Sequence, residues 1–503
     1  MTTVQDPRPQ AGQAPQDRPT FDVRHPGTGD LVGTWPVQSA TEVEDAVARA
    51  RLAAEWWQQI GYAERRKRLD AFRGVIARRI HQLAHLVHDE MGKPHGDAFL
   101  EVALVLDHLA WAGKHAPKVL GPQRRPTGLI NANLKATVEH HPLGVVGVIG
   151  PWNYPVFTPM GSIVYALAGG NAVVFKPSEF TPGVGAWLVN AFAEVVPEHP
   201  VLQLVTGDGS TGAALCRAGV DKVAFTGSTA TAKRVMATCA ETLTPIVAEC
   251  GGKDALIVDK DADLAAAADG AVWGGIANAG QTCIGVERIY VHEDVAADFA
   301  RLLVERFDDL RAGADSAAAV GPITMPSQVT IIDQHVADAK AAGGRVLAGG
   351  GATQGQVVQP TLLTDVPEDC AAVAEETFGP TLVLRSVRDM DEAVALTNAS
   401  RYHLGASVYG KADAEHVARR IRSGMVSVNS VLAFAVVPTV PFGGVGDSGF
   451  GRIHGEEGLK EFCYSHSVVR QRWKAPLPLT SFARTAKHEE MLGKIVALVH
   501  GGK

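Results

Sequence analysis

Apolar and polar positions follow two rhythms along this chain. From residue 41 to about 116, apolar residues recur at three- and four-residue spacing between Gly and Pro breaks, which predicts a run of helices. Thr41 and Glu44 fit a capping box at its start. The rhythm then changes. The apolar run 143–149 (LGVVGVI) predicts a short buried strand. Residues 156–168 predict a helix ending at Gly169-Gly170-Asn171, and 172–175 a second strand. This is a compact βαβ unit, so a parallel sheet is expected. Further strands are expected at 202–205, 222–225 and 245–248, with a helix at 230–240 among the intervening segments. After Gly252 a second α/β series starts: strand 255–258, helix 264–277, strand 288–291 and helix 296–310. Strands near 357–362, 382–387, 407–409 and 425–428 continue it. Towards the end come an extra strand at 467–471, a Pro-rich link at 474–478 and an amphipathic helix at 487–500, expected to dock on the parent fold.

Composition adds size and setting. At about 150 residues per domain, 503 residues suggest about three domains. With 46% hydrophobic and 20% charged residues, the chain carries enough apolar surface to exclude disorder as its main state. The net charge of −7, with both signs interspersed, argues against a nucleic-acid partner. The uncharged run 142–175 is broken by Pro151, Asn153, Pro155, Pro159 and paired Gly, so no membrane span is expected there. Residues 1–20 have no signal-peptide core and read as a flexible lead-in. Six Cys without CxxC or framework spacing read as reduced thiols, which places the expected location in the cytoplasm. His81, His85 and His88 share a helix face, but no fourth ligand or HExxH accompanies them, and no metal is expected.

Several segments carry chemistry. In Asn278-Ala-Gly-Gln-Thr-Cys283 a thiol follows small residues, accessible to a substrate as a nucleophile; a buried small hydrophobe is the plainer alternative. Glu249 leaves a strand beside Gly251-Gly252, with room to act as a general base; a capping or salt-bridged Glu is the competing reading. Asn153, in the turn after the first strand, could donate to an oxyanion or serve an Asx turn. Gly227-Ser228 stands between a strand and a helix, where free N–H groups can face an anion. Lys176 and Glu179 follow the second strand, where a dinucleotide fold holds ribose hydroxyls. The literal GxGxxG at 207–212 is a weaker phosphate signal, because Asp208 stands where a pyrophosphate would approach.

Taken in order, GVVGVIGPWNYP, GNAVVFKPSE, VAFTGST, AECGGKDA, NAGQTCIG, AEETFGP and PFGGVGDSGFGR resemble the NAD(P)-dependent aldehyde dehydrogenase superfamily, over roughly residues 21–467. The resemblance implies an α/β fold of two Rossmann-like domains, for cofactor and catalysis, plus a small β oligomerisation arm. The cofactor-binding domain would span 21–132 and 142–251, with 443–466 returning to it. The catalytic domain would span 252–442, the arm 133–141 and 467–472, and a tail 473–503. It implies Cys283 as nucleophile, Glu249 as the base that activates water, and Asn153 with the Cys283 N–H as oxyanion hole. Lys176 and Glu179 would hold the adenosine ribose, Trp152 and Gly227 line the dinucleotide, and Ser228 contact the pyrophosphate. Glu376 and Phe378 would hold the nicotinamide ribose and ring. The implied cofactor is NAD, favoured over NADP by the Glu179 carboxylate and softened by Lys176. The implied partner is a small-molecule aldehyde, and the implied assembly a homodimer or homotetramer. By resemblance, Val156, Phe157, Met160 and the loop 430–434 flank the aldehyde entry. They carry no Arg or Lys, which favours a neutral apolar aldehyde over a succinate-semialdehyde substrate. A CoA-acylating dehydrogenase is the other alternative. The family pattern is departed from at Cys250, in place of the usual Leu, and at His403 after Tyr402.

Overall fold

A computed structural model describes residues 18–502 apart from 316, 476 and 479. The expected lead-in falls largely outside the described residues.

Two Rossmann-like sheets organise the chain. In the first the strand order is Gly449–Phe450, Ile246–Glu249, Lys222–Thr226, Val145–Ile149, Ala172–Lys176 and Leu202–Leu204. All neighbours are parallel except Gly449–Phe450, which returns antiparallel to Ile246–Glu249. The central strands are Val-rich and buried, because helices cover both faces of a parallel sheet. Chain order reverses between Val145–Ile149 and Lys222–Thr226. Such a reversal opens a crevice beyond the carboxyl ends of the strands. Asn153, Gly227-Ser228 and Glu249 all stand at or just past those ends.

The second sheet runs Arg345–Gly349, Thr361–Thr364, Thr381–Val387, Val286–His292, Asp254–Val258, Ala406–Tyr409 and Ser427–Val428. Only Arg345–Gly349 is antiparallel. A third, three-stranded antiparallel sheet joins Gln123–Arg125, Leu134–Pro142 and Cys463–Gln471. Its outer strand leaves Tyr464, Val468 and Val469 exposed. No helix among the described residues is long and apolar enough to cross a membrane.

Three local expectations need correction. The first capping box is Ser39 with Glu42, not Thr41 with Glu44. Ser39 is extended, and the Glu42 carboxylate accepts its N–H at 2.8 Å. The helix begins at Ala40, so Thr41 is already inside its first turn. The strand expected at 357–362 is Thr361–Thr364, because Pro360, which has no N–H, closes the preceding loop. The helix Ala486–His500 forms, but it buries no residue on this chain; Met491, Ile495, Leu498 and Val499 remain exposed.

Candidate active site

The turn that carries Asn153 is pinned from beneath by charge. Lys93 Nζ lies 2.5 Å from Glu101 Oε2, and both side chains are fully buried. The same ammonium donates to the Asn153 carbonyl at 2.8 Å and sits over the Tyr154 ring. Glu101 Oε1 accepts the N–H groups of Val156 and Phe157 at 2.7 and 3.1 Å, which anchors the start of the helix Phe157–Gly169. Neither residue stood out in the sequence, since Lys93 and Glu101 become meaningful only once the helix His95–Leu120 meets this turn.

Cys283 arrives from the opposite side. Asn278, Ala279 and Gly280 all have positive φ, so the chain coils back on itself before Gln281. Asn153 Nδ2 donates to the Gln281 carbonyl at 2.9 Å, and Asn278 Nδ2 donates to the Asn153 carbonyl at 3.0 Å. Tyr154 and Thr282 hydroxyls meet at 2.9 Å. The Asn153 turn and the Cys283 loop are thus stitched together although they lie 130 residues apart in sequence (283 − 153). A Cβ at Gly252 would stand 2.3 Å from the Cys283 carbonyl, so only glycine lets the Glu249 segment pass this close.

Cys283 and Glu249 line one cleft of about 930 Å³, part of it open to solvent. Its walls are almost wholly apolar: Leu104, Phe157, Leu432, Phe442 and Ile453 among them. Val156 and Met160, expected at the entry, are instead packed in the core behind Phe157. The described lining residues include no Lys or Arg. Burial raises the Cys283 thiol, reinforced by the carboxylates of Glu376, Asp254 and Glu249. Burial also raises Glu249 well above the usual carboxylate range, and neither of its oxygens has a hydrogen-bond partner among the described residues. An unpartnered buried carboxyl is costly to fold, and a water or substrate group would satisfy it.

The dinucleotide candidates lie along the first sheet's crevice. Glu179 Oε2 is 3.6 Å from Lys176 Nζ, and Lys176 is itself buried at the end of its strand. The Gly227 N–H donates to the Glu249 carbonyl at 3.1 Å. Ser228 is exposed, and its hydroxyl caps the helix Thr229–Ala240 by accepting the Thr231 N–H at 3.3 Å. The Trp152 and Phe378 rings meet edge to face at 5.5 Å. Phe378 has φ 49°, and Glu287 holds it there by accepting the N–H groups of Thr377 and Phe378 while paired to buried Lys253. Sequence reasoning missed Lys253 and Glu287 for the same reason as Lys93 and Glu101. Glu376 packs over Gly251 and accepts the Gly252 N–H at 2.9 Å; burial raises it to about 8. A carboxylate beside a buried lysine, a Gly-Ser helix start and an aromatic pair fit a dinucleotide along this line.

Two further segments find local partners. Asp208 caps the helix Gly209–Arg217 by accepting the Ser210 N–H, so that GxGxxG has its helix end already satisfied. His88 Nδ1 meets the Lys93 carbonyl, while His81 and His85 gather around His95.

Comparison with known proteins agrees in extent and fold. The profile described as "Aldehyde dehydrogenase family" matches residues 13–468. The chain is 36% identical over 480 residues to a Methylomonas protein named 4,4'-diapolycopene aldehyde oxidase, covering 95% of this chain and 90% of that one. It is 36% identical over 471 residues to a Mycolicibacterium smegmatis protein named "Putative succinate-semialdehyde dehydrogenase [NADP(+)]", covering 91% and 90%. The crystal structure of the NAD-dependent aldehyde dehydrogenase of Sinorhizobium meliloti superposes with a TM-score of 0.86 at 33% identity, covering 91% and 93%. A match of this length to the family profile, together with relatives of this identity across nearly the whole chain, establishes that the chain belongs to the aldehyde dehydrogenase family.

Proposed function

We propose that this protein oxidises a neutral, largely apolar aldehyde to its carboxylic acid, with NAD as the electron acceptor and NADP as the alternative dinucleotide. The observation that carries the reading is that the Cys283 thiol and the unpartnered Glu249 carboxyl share one apolar cleft. In the Cys283 thiolate form, sulfur adds to the aldehyde carbon and the carbonyl electrons move to oxygen. The second N–H of the Asn153 amide, whose first is spent on Gln281, is available to that oxyanion. A nicotinamide framed by Glu376 and Phe378 would supply the acceptor for the hydride from that carbon, leaving Cys283 as a thioester. Glu249 takes a proton from water as the water attacks, and the thiolate leaves with the acid released.

For the dinucleotide, Lys176 and Glu179 would hold the adenosine ribose, Gly227 would line the dinucleotide, and Ser228 would contact the pyrophosphate. Trp152, Glu376 and Phe378 would frame the nicotinamide end. The names of the Sinorhizobium and Mycolicibacterium proteins support NAD and NADP respectively. The absence of Lys and Arg from the described lining favours an apolar aldehyde over succinate semialdehyde, whose distal carboxylate needs a cation. Pairing of subunits through the exposed strand Cys463–Gln471 would give the homodimer or homotetramer.

The test is turnover on an aldehyde panel with either dinucleotide. Cys283→Ala is expected to abolish oxidation while dinucleotide binding persists. Glu249→Gln is expected to give a burst of reduced dinucleotide and then stall. Normal turnover by Cys283→Ala would refute the reading.

A further inference from the structure

The cleft's wall holds a buried histidine, backed by a second, that the oxidation chemistry leaves without a task. His454 is 1% exposed and lines the cleft together with Cys283 and Phe157. Its ring centroid lies 4.0 Å from that of His108, which is equally buried. Phe157 and Phe442 close around them at 5.4 to 5.7 Å. His108 is accounted for: Nε2 donates to the Ala435 carbonyl at 3.2 Å, and Nδ1 faces the Tyr165 hydroxyl at 3.3 Å. The Nδ1 of His454 has no hydrogen-bond partner among the described residues.

The seat of this ring is built at some expense. His454 has φ 60°, a left-handed conformation that disfavours a side chain. Its Nε2 occupies the space beside Gly161, where a Cβ would come within 2.7 Å. The other carboxylates of the cleft are engaged. Asp97 accepts the Asn278 N–H, Glu101 is paired with Lys93, and Glu249 is assigned to the hydrolytic water in the oxidation reading. Burial lowers both imidazoles, His108 to about 4, so both are neutral at physiological pH. A neutral imidazole exchanges a hydrogen bond with an uncharged group and offers a carboxylate no ion pair.

We infer that His454 is the polar recognition point of an otherwise apolar cleft, and that the aldehyde taken there carries a hydroxyl group in addition to its carbonyl. The inference rests on the aldehyde-oxidation reading and narrows its substrate class. The hydroxyl meets the imidazole of His454, while the rest of the substrate packs on Phe157, Phe442 and Leu104. A site that buries a polar group for one substrate atom discriminates against the analogue lacking that atom, because the group is then left unpaired.

The experiment measures kcat/KM for two matched pairs, benzaldehyde with meta-hydroxybenzaldehyde and hexanal with omega-hydroxyhexanal. At least one hydroxylated member is expected to be favoured by about tenfold, chiefly through KM. His454→Leu is expected to bring that ratio to about one, and His454→Gln, which keeps a donor and an acceptor, to restore part of it. Thermal melting of both variants reports their folding. Oxidation of the parent aldehydes by the wild type with no preference for either hydroxylated partner overturns the inference and leaves the oxidation reading intact. So does a ratio that survives in His454→Leu. Failure to oxidise any of the four would instead sink the oxidation reading itself, and this inference with it.

Discussion

Replacing Lys93 by Met would remove one charge from beneath the Asn153 turn and keep the length of the side chain. In the native protein the ammonium is fully buried, 2.5 Å from Glu101 and 2.8 Å from the Asn153 carbonyl. The variant leaves the Glu101 carboxylate uncompensated in the interior. One-sided loss of a buried ion pair costs about 3–5 kcal/mol. The Asn153 carbonyl keeps its bond from Asn278 Nδ2, so the turn loosens rather than detaches. If its amide leaves the oxyanion position, the loss of that donor raises the barrier by about 3 kcal/mol, or roughly a hundredfold in kcat. Urea unfolding followed by tryptophan fluorescence reads the first effect as a lowered midpoint. Turnover at saturating aldehyde, at urea-free conditions where the variant is folded, reads the second. Adding Glu101→Gln neutralises the stranded carboxylate but keeps an acceptor for the Val156 and Phe157 amides, so it should recover part of the stability. An unmoved midpoint together with a kcat within about twofold of wild type would show that the buried pair does not organise this turn.

Three further outcomes follow from the same site. Glu376→Gln removes the foremost of the charges that raise the Cys283 thiol, so above about pH 8, where Glu376 is ionised, iodoacetamide should alkylate Cys283 faster; an unchanged rate profile there would contradict the electrostatic account. Glu179→Ser removes the carboxylate near Lys176, which should lower the ratio of NAD to NADP kcat/KM; a ratio that stays constant would mean the ribose lies elsewhere. Because burial raises Glu249, its carboxyl is protonated at low pH and steady-state turnover should be lost as pH falls. The pre-steady-state burst in Glu249→Gln should persist, so a pH profile for steady turnover that is the same in both proteins would remove Glu249 from the hydrolytic step.

Much of this protein was legible locally. The strand, turn and helix around Asn153 could be read because LGVVGVI, the Pro-rich turn and the Gly-Gly-Asn stop all lie within one short stretch of chain. Cys283 and Glu249 stood out for the same reason, each framed by small residues that any nucleophile or base at a strand end requires. Boundaries were less secure. Ser39 and Thr41 are both acceptable caps in sequence, and only the backbone at Ser39 decides between them. The amphipathic pattern at the C-terminus foretold a helix correctly, yet gave no hint that none of its residues would be buried among the described residues.

The sequence by itself determined the periodic elements, the chemically reactive side chains and the family, because these depend on residue type and short spacing. The tertiary structure alone decided which buried charges neutralise one another: Lys93 with Glu101 under the Asn153 turn, and Lys253 with Glu287 under Phe378. It also decided that His108, from a distant part of the chain, packs behind His454 in the wall of the cleft. The physical reason is desolvation. Whether a charged or polar side chain is satisfied or stranded depends on what the rest of the chain brings within a few ångströms once water has been excluded, and no local pattern encodes that company.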